Sequence, residues 1–388
     1  MVRIAFTLIG GRAWAGGYNY LINLLTVLGN FCSGKVQPVL FLGTDLDLEL
    51  LQPLLAIEGV EVIYSEFFND SCGSWSLIRS LIFGSDFRIK RLLMNHSIDV
   101  VFENARFFGF RIGIPVIAWI PDLQHRDMPT LFSSFSWWKR ELGFRLQIAA
   151  GRHIMLSSND ASKACHRYCP STVGRTHVVR FAVMPRSCPS LADIDHVRIL
   201  YQLPFHYFYL PNQFYKHKNH QLVLNALNLL QVDAPDIIVV ASGRLPDPSA
   251  SEYFRRFLAY RESAGLSDSF RLLGMIPYEH IAPLMLGSLA VLNPSLYEGW
   301  STTVEEARVF SVRLLLSDLP VNKEQAAGIA RFFDRSSEHS LASLMLEVWN
   351  QFASGQTSST HPSSPTFGAV RQFASDFAGL AEFAASSS

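Results

Sequence analysis

Three carboxylates lie close together in the stretch PSLYEGWSTTVEEA, residues 294–307, of a chain that carries few charges. Glu298 follows a Pro-Ser turn, whereas Glu305 and Glu306 come at the start of a predicted helix. Carboxylate oxygens accept hydrogen bonds from hydroxyl groups. The backbone N–H groups of residues 299–303 would point outward at the positive end of this helix, where anions bind. Together these groups predict a binding site for a phosphorylated sugar or a nucleotide.

Helix capping is the competing explanation for these glutamates. The Thr302–Glu305 and Thr303–Glu306 pairs both fit the capping-box pattern, in which a Ser or Thr is followed three residues later by Glu. Only one pair can close a given box, so the other glutamate would be free to project elsewhere. Capping does not account for Glu298 at all, and we therefore favour the binding site.

The elements that must position these residues are predicted by short apolar runs that alternate with amphipathic stretches. Most of the runs are continuous, which is typical of parallel strands that are buried on both faces. In the first half they are VRIAFTLI, VQPVLFLG, VEVIYS, IDVVFEN, PVIAWIPD, HIMLSS and HVVRFAV. In the second half they are HYFYLPN, DIIVVAS, SFRLLGMI, SLAVLNPS, RLLLSD and ARFFD. This pattern predicts an α/β chain with two Rossmann-like domains that face each other across a cleft.

A Pro- and Ser-rich break near residues 185–203 predicts the linker between the two domains. We place the first domain at residues 1–190 and the second at residues 200–360. The tract SGQTSSTHPSSP predicts a flexible loop. The amphipathic stretch FGAVRQFASDFAGLAEF predicts a closing helix over residues 367–385, which we expect to pack back on the first domain.

The composition limits the possible classes of protein. The chain has 388 residues, of which 49% are apolar, and this is enough for two sizeable cores. Its 33 basic residues balance 33 acidic ones, so no overall field favours nucleic acid or anionic lipid. The five scattered cysteines predict reduced thiols in a cytoplasmic protein. The start MVRIAFTLIGG predicts a strand rather than a signal peptide, and no apolar run is long enough to span a bilayer.

The spacing of Glu298 and Glu306, followed by ARVFSVRLLLSDLP, resembles the E-x7-E signature of retaining glycosyltransferases of the GT-B fold, family 4. Other stretches resemble parts of this family in the same order along the chain. They are WIPDLQHRDMP, SSNDASKAC with VVRFAV, LPNQFYKHKNH, and FRLLGMIPYEHIAPLM. The resemblance covers nearly the whole chain. It implies a GT-B fold, in which the first domain binds the acceptor and the second binds a nucleotide sugar.

The resemblance also implies a role for each site residue. Glu306 would bind the ribose hydroxyls, and Glu298 would contact hydroxyls of the transferred sugar. Lys218 would bind the diphosphate. The backbone amides that would hold sugar hydroxyls and the distal phosphate are those of Gly299, Trp300, Ser301, Thr302 and Thr303.

Further positions follow from the same resemblance. The family usually has an arginine where this chain has Gln213, so one cation is missing from the diphosphate site, and Arg244 is a candidate to help. Met275 and Ile276 belong to the segment that contacts the nucleobase. His125 follows a strand, and we expect it to reach the cleft near the transferred sugar or the acceptor. The implied catalytic residues are thus Glu298, Lys218 and His125.

Two glycines and two histidines suggest further contacts. Gly16 and Gly17 precede a predicted helix and would let the backbone approach the diphosphate, although a plain loop is the alternative. His217 and His220 flank Lys218, but no third metal ligand is evident. We therefore expect neither a metal nor another cofactor.

Residues 131–147, LFSSFSWWKRELGFRLQ, mix aromatic and basic side chains. Such a helix can lie at a membrane interface and meet a lipid-linked acceptor, or its aromatic residues can belong to the core. We expect a protein of the cytoplasm or of the inner face of the membrane.

These interpretations together predict a retaining, metal-independent hexosyltransferase. It would move a hexosyl unit from GDP-mannose or a UDP-sugar to a glycan or lipid-linked acceptor, as in bacterial surface polysaccharide synthesis. Two alternatives stay open. One is a related enzyme that hydrolyses or epimerises a sugar nucleotide, and the other is a non-catalytic, two-lobed sugar-binding module.

Overall fold

The computed structural model describes residues 1–10, 15–104, 106–184, 188–354 and 367–387. The chain divides into two compact units, Met1–Met184 with Phe367–Ser388, and Pro185–Thr366. Each unit is built around one sheet in which the paired strands are parallel. The predicted α/β class with two Rossmann-like sheets is therefore confirmed. The predicted Ser-rich loop lies, from residue 355 onward, outside the described residues.

The first unit has a seven-stranded sheet in the order β3-β2-β1-β4-β5-β6-β7. Its strands are β1 (Val2–Thr7), β2 (Val36–Leu42), β3 (Glu61–Tyr64), β4 (Val100–Glu103), β5 (Val116–Trp119), β6 (His153–Leu156) and β7 (Thr176–Val178). Its helices are α1 (Ala15–Cys32), α2 (Leu48–Leu55), α3 (Gly73–Ile82), α4 (Phe87–Asn95), α5 (Gln124–Asp127), α6 (Ser134–Ala149), α7 (Asn159–Tyr168) and, near the end of the chain, α15 (Gly368–Ser386). The run HVVRFAV is a strand only over its first residues.

Helix α15 belongs to the first unit because its apolar side chains recur at helical spacing and are buried there. Val370, Phe373 and Phe377 are at most 1% exposed. The ring of Phe377 packs 6.0 Å from that of Phe6 on β1 and 5.5 Å from that of Phe102 on β4. The end of the chain thus covers the sheet that its beginning forms.

The second unit has a six-stranded sheet in the order β10-β9-β8-β11-β12-β13. Its strands are β8 (Phe208–Pro211), β9 (Val239–Ser242), β10 (Phe270–Gly274), β11 (Ala290–Asn293), β12 (Leu314–Ser317) and β13 (Ala330–Phe333). Its helices are α8 (Leu191–Leu200), α9 (His220–Leu230), α10 (Glu252–Ser263), α11 (Ile281–Leu286), α12 (Thr302–Val309), α13 (Pro320–Ala326) and α14 (Glu338–Ala353).

The predicted linker near residues 185–203 is wrong over most of its length, because it contains helix α8. Ser190 caps this helix, and the Asp193 side chain accepts a hydrogen bond from the Ser190 backbone, so the two residues form a capping box. Val197 is buried in the apolar core of the second unit together with Leu284 of α11. The second unit therefore begins well before residue 200.

Candidate functional site

Buried polar side chains lie at the carboxyl ends of three neighbouring strands in the second unit. Asn212 follows β8, Asn293 ends β11 and Ser317 ends β12, and each is at most 4% exposed. Asn212 Nδ2 donates to Asn293 Oδ1 at 3.5 Å, and Ser317 Oγ donates to the carbonyl oxygen of Ser295 at 2.7 Å. Because buried polar groups need partners, these bonds fix the loop that follows β11.

Ser295 connects this network to the first of the predicted site carboxylates. Its Oγ atom lies 2.7 Å from Glu298 Oε1 and 2.7 Å from Asn293 Oδ1. A hydroxyl has one proton, so it can donate to only one of these two acceptors at a time. The bond to the ionised carboxylate is the stronger one. Ser295 is therefore placed to orient Glu298.

Lys218 and Glu298 form a partly buried ion pair, with Nζ 2.6 Å from Oε1. Their side chains are 17% and 9% exposed, respectively. Burial alone would raise the pKa of Glu298, but the Lys218 ammonium and the Ser295 hydroxyl hold it below its usual value. The carboxylate is thus ionised at neutral pH and can accept hydrogen bonds from hydroxyl groups.

The backbone around Lys218 explains why this side chain reaches Glu298. Residues Lys216–Lys218 form one 3₁₀ turn, and Asn219 then takes a left-handed conformation with φ of 57°. Asparagine tolerates this conformation better than most residues. The Asn219 side chain donates to the Arg335 carbonyl at 3.1 Å, which anchors the turn between β8 and α9.

The start of helix α12 differs from both predicted capping boxes. Ser301 is the N-cap residue, and its Oγ accepts from the Val304 amide at 3.4 Å and from Asn293 Nδ2 at 2.9 Å. Thr302 and Thr303 are therefore the first two residues of the helix rather than its caps. Thr303 is buried, and its hydroxyl donates to the Pro211 carbonyl at 3.2 Å, whereas Thr302 is exposed.

Gln325 of α13 forms hydrogen bonds with both backbone groups of Ser301. The Ser301 amide donates to Gln325 Oε1 at 3.1 Å, and Gln325 Nε2 donates to the Ser301 carbonyl at 2.8 Å. The prediction that every amide of residues 299–303 serves a ligand is therefore wrong for Ser301. Gly299 is half-buried in this turn.

Glu305 is a structural residue, as the capping alternative suggested, but it acts through different contacts. It is 2% exposed and accepts from Arg308 and Gln325, at 2.8 Å each. The side chain of Trp300, a predicted binding residue, also hydrogen-bonds to Glu305. Burial raises the pKa of Glu305 despite these partners. Glu305 thus holds α12 to α13 and does not face a ligand.

Glu306, the next residue of α12, is half-buried and accepts from the Tyr278 hydroxyl at 2.8 Å. Tyr278 lies in the turn that follows β10. In the same turn, Met275 is 68% exposed, whereas Ile276 is half-buried against the core. The segment that the sequence assigns to the nucleobase is therefore joined to the second site glutamate.

Gln213 connects the loops after β8, β9 and β10. Its Oε1 accepts from the Arg244 amide at 2.7 Å, and its Nε2 lies 4.0 Å from Met275 Sδ. Gly243 permits this close approach, since its φ is 140° and a Cβ there would lie 2.5 Å from the Asn212 carbonyl oxygen. Arg244 is thus placed beside the position where a cation was missing, with its side chain exposed.

One of the two histidines that flank Lys218 belongs to the core of the second unit. His220 is fully buried, its ring stacks 3.9 Å from that of Phe214, and its Nε2 lies 3.3 Å from the Asn212 carbonyl oxygen. Burial lowers its pKa to about 3. Among the described residues, no group of three or more His, Cys, Asp or Glu could hold a metal ion.

His125 lies inside the first unit, whereas we predicted that it would reach the cleft. Its side chain is fully buried, with Nε2 3.0 Å from Glu141 Oε2 and its ring packed against Phe132, Trp137 and Phe144. Burial lowers the pKa of His125, so the neutral imidazole is favoured. The contacts make His125 part of the packing between α5 and α6.

Gly16 and Gly17 lie inside the first turn of α1 and not before it. Gly16 is exposed and Gly17 is buried. Residues 11–14, which would form the predicted phosphate-binding loop with them, lie outside the described residues.

Helix α6, which covers most of the predicted membrane segment 131–147, divides its aromatic residues between two faces. Trp137 and Phe144 of α6, with Phe132 before the helix, pack around His125, whereas Phe135 and Trp138 are 79% and 60% exposed. The core alternative is thus confirmed for one face of the helix, and membrane contact of the other face stays a prediction. None of the described helices is both long enough and apolar enough to cross a membrane.

Comparison with known proteins adds to this geometry. Residues 204–350 match the family model of the glycosyl transferases group 1. No curated protein matches the chain in sequence. The match covers the sheet of the second unit with Lys218, Glu298 and Glu306, and it supports a glycosyltransferase.

Three solved structures resemble the whole chain at low sequence identity. Anabaena Alr3699/HepE in complex with UDP-glucose aligns with a TM-score of 0.64 and 14% identity over 99% of this chain and 95% of its own. Sucrose-phosphate synthase from Thermosynechococcus elongatus aligns with a TM-score of 0.65 and 14% identity over 99% and 94%. WaaG, a glycosyltransferase involved in lipopolysaccharide biosynthesis, aligns with a TM-score of 0.58 and 11% identity over 98% and 95%. The chain has the GT-B fold.

Within this GT-B fold, sequence reasoning missed four residues that hold the site together: Asn293, Ser295, Tyr278 and Gln325. Asn293 and Ser295 carried a usable signal, because polar residues in LNPS directly follow an apolar run. Gln325 gave no local signal, since it lies 24 residues from the Ser301 backbone that it bonds.

Proposed function

We propose that this protein is a retaining, metal-independent hexosyltransferase. It moves a hexosyl unit from GDP-mannose or a UDP-sugar to a glycan or lipid-linked acceptor. The observation that carries the proposal is the Lys218–Glu298 pair at the carboxyl ends of β8 and β11, within the part of the chain that matches the glycosyl transferases group 1. The likeness to a protein crystallised with UDP-glucose supports a nucleotide-sugar donor.

The proposed reaction exchanges one bond at the anomeric carbon. The bond between this carbon and the diphosphate oxygen breaks, and the acceptor oxygen bonds to the same face of the sugar. The departing diphosphate takes the acceptor proton. Lys218 stabilises the charge that develops on the leaving phosphates, a role that needs no metal ion.

The two glutamates hold the donor at its two ends. Glu298 accepts hydrogen bonds from hydroxyls of the transferred sugar, and Glu306 accepts from the ribose. In the structure, Glu298 is bonded to Lys218 and Ser295. Donor binding gives each member of the ion pair a new partner, since the diphosphate approaches the ammonium and the sugar hydroxyls approach the carboxylate.

The setting of the reaction is proposed from a likeness to another glycosyltransferase. The likeness to WaaG, which acts in lipopolysaccharide biosynthesis, supports a role in bacterial surface polysaccharide synthesis. An acceptor of this kind would be met in the cytoplasm or at the inner face of the membrane. Because the ring of His125 is buried, we propose that it contributes only by holding α5 and α6 in position.

A thermal-shift screen of GDP- and UDP-sugars tests the donor. A ligand that binds only the folded protein stabilises it by about 2.7 kcal/mol at a hundredfold excess over its Kd. We expect one nucleoside diphosphate, GDP or UDP, to raise the melting temperature, and the corresponding nucleotide sugar to raise it further. If no sugar nucleotide raises it, the proposal fails. Incubation of the bound donor without acceptor then measures any hydrolysis or epimerisation.

Two variants test the site itself. Glu306→Ala should mainly weaken nucleotide binding, whereas Glu298→Gln should lower turnover more than binding. Glu279→Ala is the matched control, because Glu279 is exposed and next to Tyr278 but outside the proposed site. Full transferase activity in both site variants would show that the site is assigned wrongly.

A further inference from the structure

Helix α3 in the first unit buries two serine side chains and exposes its apolar side chains. Ser76 and Ser80 are only 2% and 1% exposed. By contrast, Trp75 is 62% exposed, and Ile82 with the adjoining Phe83 is about 70% exposed, at 69% and 71%. This is the reverse of the usual arrangement, in which an amphipathic helix turns its apolar stripe to the core. An apolar surface of this kind indicates a binding partner.

Helix α4 extends this surface with a mixed apolar and basic face. Phe87, Arg91 and Met94 follow one another at helical spacing and are all exposed, whereas Ile89 and Leu93 are buried on the opposite side. We call the exposed faces of the two helices the α3–α4 surface. Its large apolar members are Trp75, Leu77, Ile78, Leu81, Ile82, Phe83, Phe87 and Met94.

The segment of α3 and α4 has a small positive net charge although the chain as a whole is neutral. Residues 70–99 contain four cations, Arg79, Arg88, Lys90 and Arg91, against three carboxylates, Asp70, Asp86 and Asp99. Asp86 is 2% exposed and is already paired with Arg88 at 3.0 Å and Arg79 at 3.5 Å. Lys90 and Arg91 of α4, which are half-buried and exposed, respectively, therefore supply the positive charge beside the apolar residues.

The connection between the two helices is held in a fixed shape. The Asp86 side chain caps α4 by accepting from the Arg88 amide at 3.1 Å. The Arg111 amide donates to the Gly84 carbonyl at 2.7 Å, and a Cβ at Gly109 would lie 2.3 Å from the same oxygen. Since the helix connection packs closely on residues 109–111, the α3–α4 surface does not need a partner to form.

We propose that the α3–α4 surface docks on an anionic lipid bilayer. Trp and Phe beside Leu and Ile, bordered by Arg and Lys, is the composition of helices that lie in a membrane interface. Cations near the surface attract anionic headgroups while the apolar side chains enter the acyl boundary. A bilayer also accommodates bulky side chains spread over two helices without a complementary pocket, which a protein partner would have to supply.

The proposal does not depend on the glycosyltransferase function, because docking needs neither donor nor acceptor. It also concerns a different helix pair from α6, which exposes Phe135 and Trp138. Co-sedimentation of the full chain with vesicles tests it, using phosphatidylcholine alone and phosphatidylcholine with phosphatidylglycerol. We expect binding to the mixed vesicles only, and weaker binding as salt is added.

Variants locate the binding surface. Trp75→Ser/Ile82→Ser/Phe83→Ser should reduce binding to the mixed vesicles more than tenfold, and Arg91→Gln should reduce it about fivefold. The melting temperature should hold in both, because these side chains are exposed. Val232→Ser, at an exposed apolar position of the second unit, is the matched control and should bind like the unchanged protein.

Three results would overturn the proposal. The first is that the unchanged chain does not bind the mixed vesicles. The second is that the triple variant binds as well as the unchanged chain, whereas Phe135→Ser/Trp138→Ser does not bind, since α6 would then be the membrane contact. The third is self-association in light scattering that the triple variant abolishes while no vesicles bind, which would make the surface a protein interface. The nucleotide-induced thermal shift tests the proposed function separately, so its outcome does not depend on these results.

Discussion

Replacing Lys218 by methionine removes the ammonium from the ion pair with Glu298 and keeps most of the side-chain volume. The two charged atoms are 2.6 Å apart and the side chains are 17% and 9% exposed. At an effective dielectric constant of about 20, the attraction is about 6 kcal/mol before the cost of burying both charges. The variant leaves a buried carboxylate without its cation, so we expect it to lose about 3 kcal/mol of unfolding free energy.

The double variant separates the pair from its surroundings. Lys218→Met/Glu298→Gln contains neither charge, so it should be more stable than Lys218→Met alone. We expect a coupling energy of about 2 kcal/mol between the two positions in urea unfolding. Lys216→Met, in the same turn but exposed, is the control and should change stability by less than about 0.5 kcal/mol. If the effects of the single changes simply add, the ion pair contributes no stability.

Nucleotide binding then distinguishes a functional pair from a structural one. Charge-assisted hydrogen bonds contribute about 1.5–3 kcal/mol, so Lys218→Met and the double variant should bind a nucleoside diphosphate about 10- to 100-fold more weakly. Glu298→Gln should bind the same nucleotide at least as tightly as the unchanged protein, because Lys218 no longer has a competing carboxylate. Isothermal titration calorimetry measures both. Unchanged affinity in Lys218→Met would refute the assignment of this lysine to the diphosphate.

Three further predictions concern the surroundings of the pair. Ser301→Ala removes the cap of α12 and should lower the unfolding free energy by about 1–2 kcal/mol in urea, whereas Ser301→Thr should restore most of it. Tyr278→Phe removes the donor to Glu306 and should weaken binding of a nucleoside diphosphate about fivefold in calorimetry. The dideoxyribose analogue lacks the hydroxyls that Glu306 would bind, so its affinity should be the same for the variant and the unchanged protein. His220 has its pKa lowered to about 3 in the folded chain, so the unfolded chain binds the extra proton and stability falls as the pH drops below about 6.5. Urea unfolding of His220→Leu should therefore show a lower stability at neutral pH but a shallower loss toward pH 4 than that of the unchanged protein, and an equal slope would contradict the buried neutral imidazole.

Most of the fold could be predicted because strands buried on both faces need unbroken apolar runs. VRIAFT and VQPVLFL show this directly, and they pair as β1 and β2. Helix α8 was missed because its start is marked by Pro and Ser, which are typical of linkers, and its helical residues are largely exposed. Val197 is the one fully buried residue of α8, and one such residue is too weak a periodic signal to predict a helix.

The site could be predicted only as far as spacing along the chain carries information. The seven residues between Glu298 and Glu306 fix which carboxylates can act together, but not what each one touches. Glu305 is structural because of Gln325, which is 20 residues away, and His125 is structural because of Glu141, which is 16 residues away. Such partners are decided by how strands are ordered in the sheet, which a single sequence does not state.

The buried network around Glu298 has a consequence for how a donor can bind. Asn293 and Ser317 end two neighbouring strands and Ser295 lies in the loop that follows β11, and their hydrogen bonds leave this loop little freedom to move. Since the carboxylate is fixed, the flexible Lys218 side chain is the member of the pair that can shift toward a phosphate. A nucleoside diphosphate alone would then separate the pair without giving Glu298 a new partner, whereas a nucleotide sugar would supply hydroxyls to it. Affinity should therefore favour the intact donor over the leaving nucleotide, which assists product release after transfer.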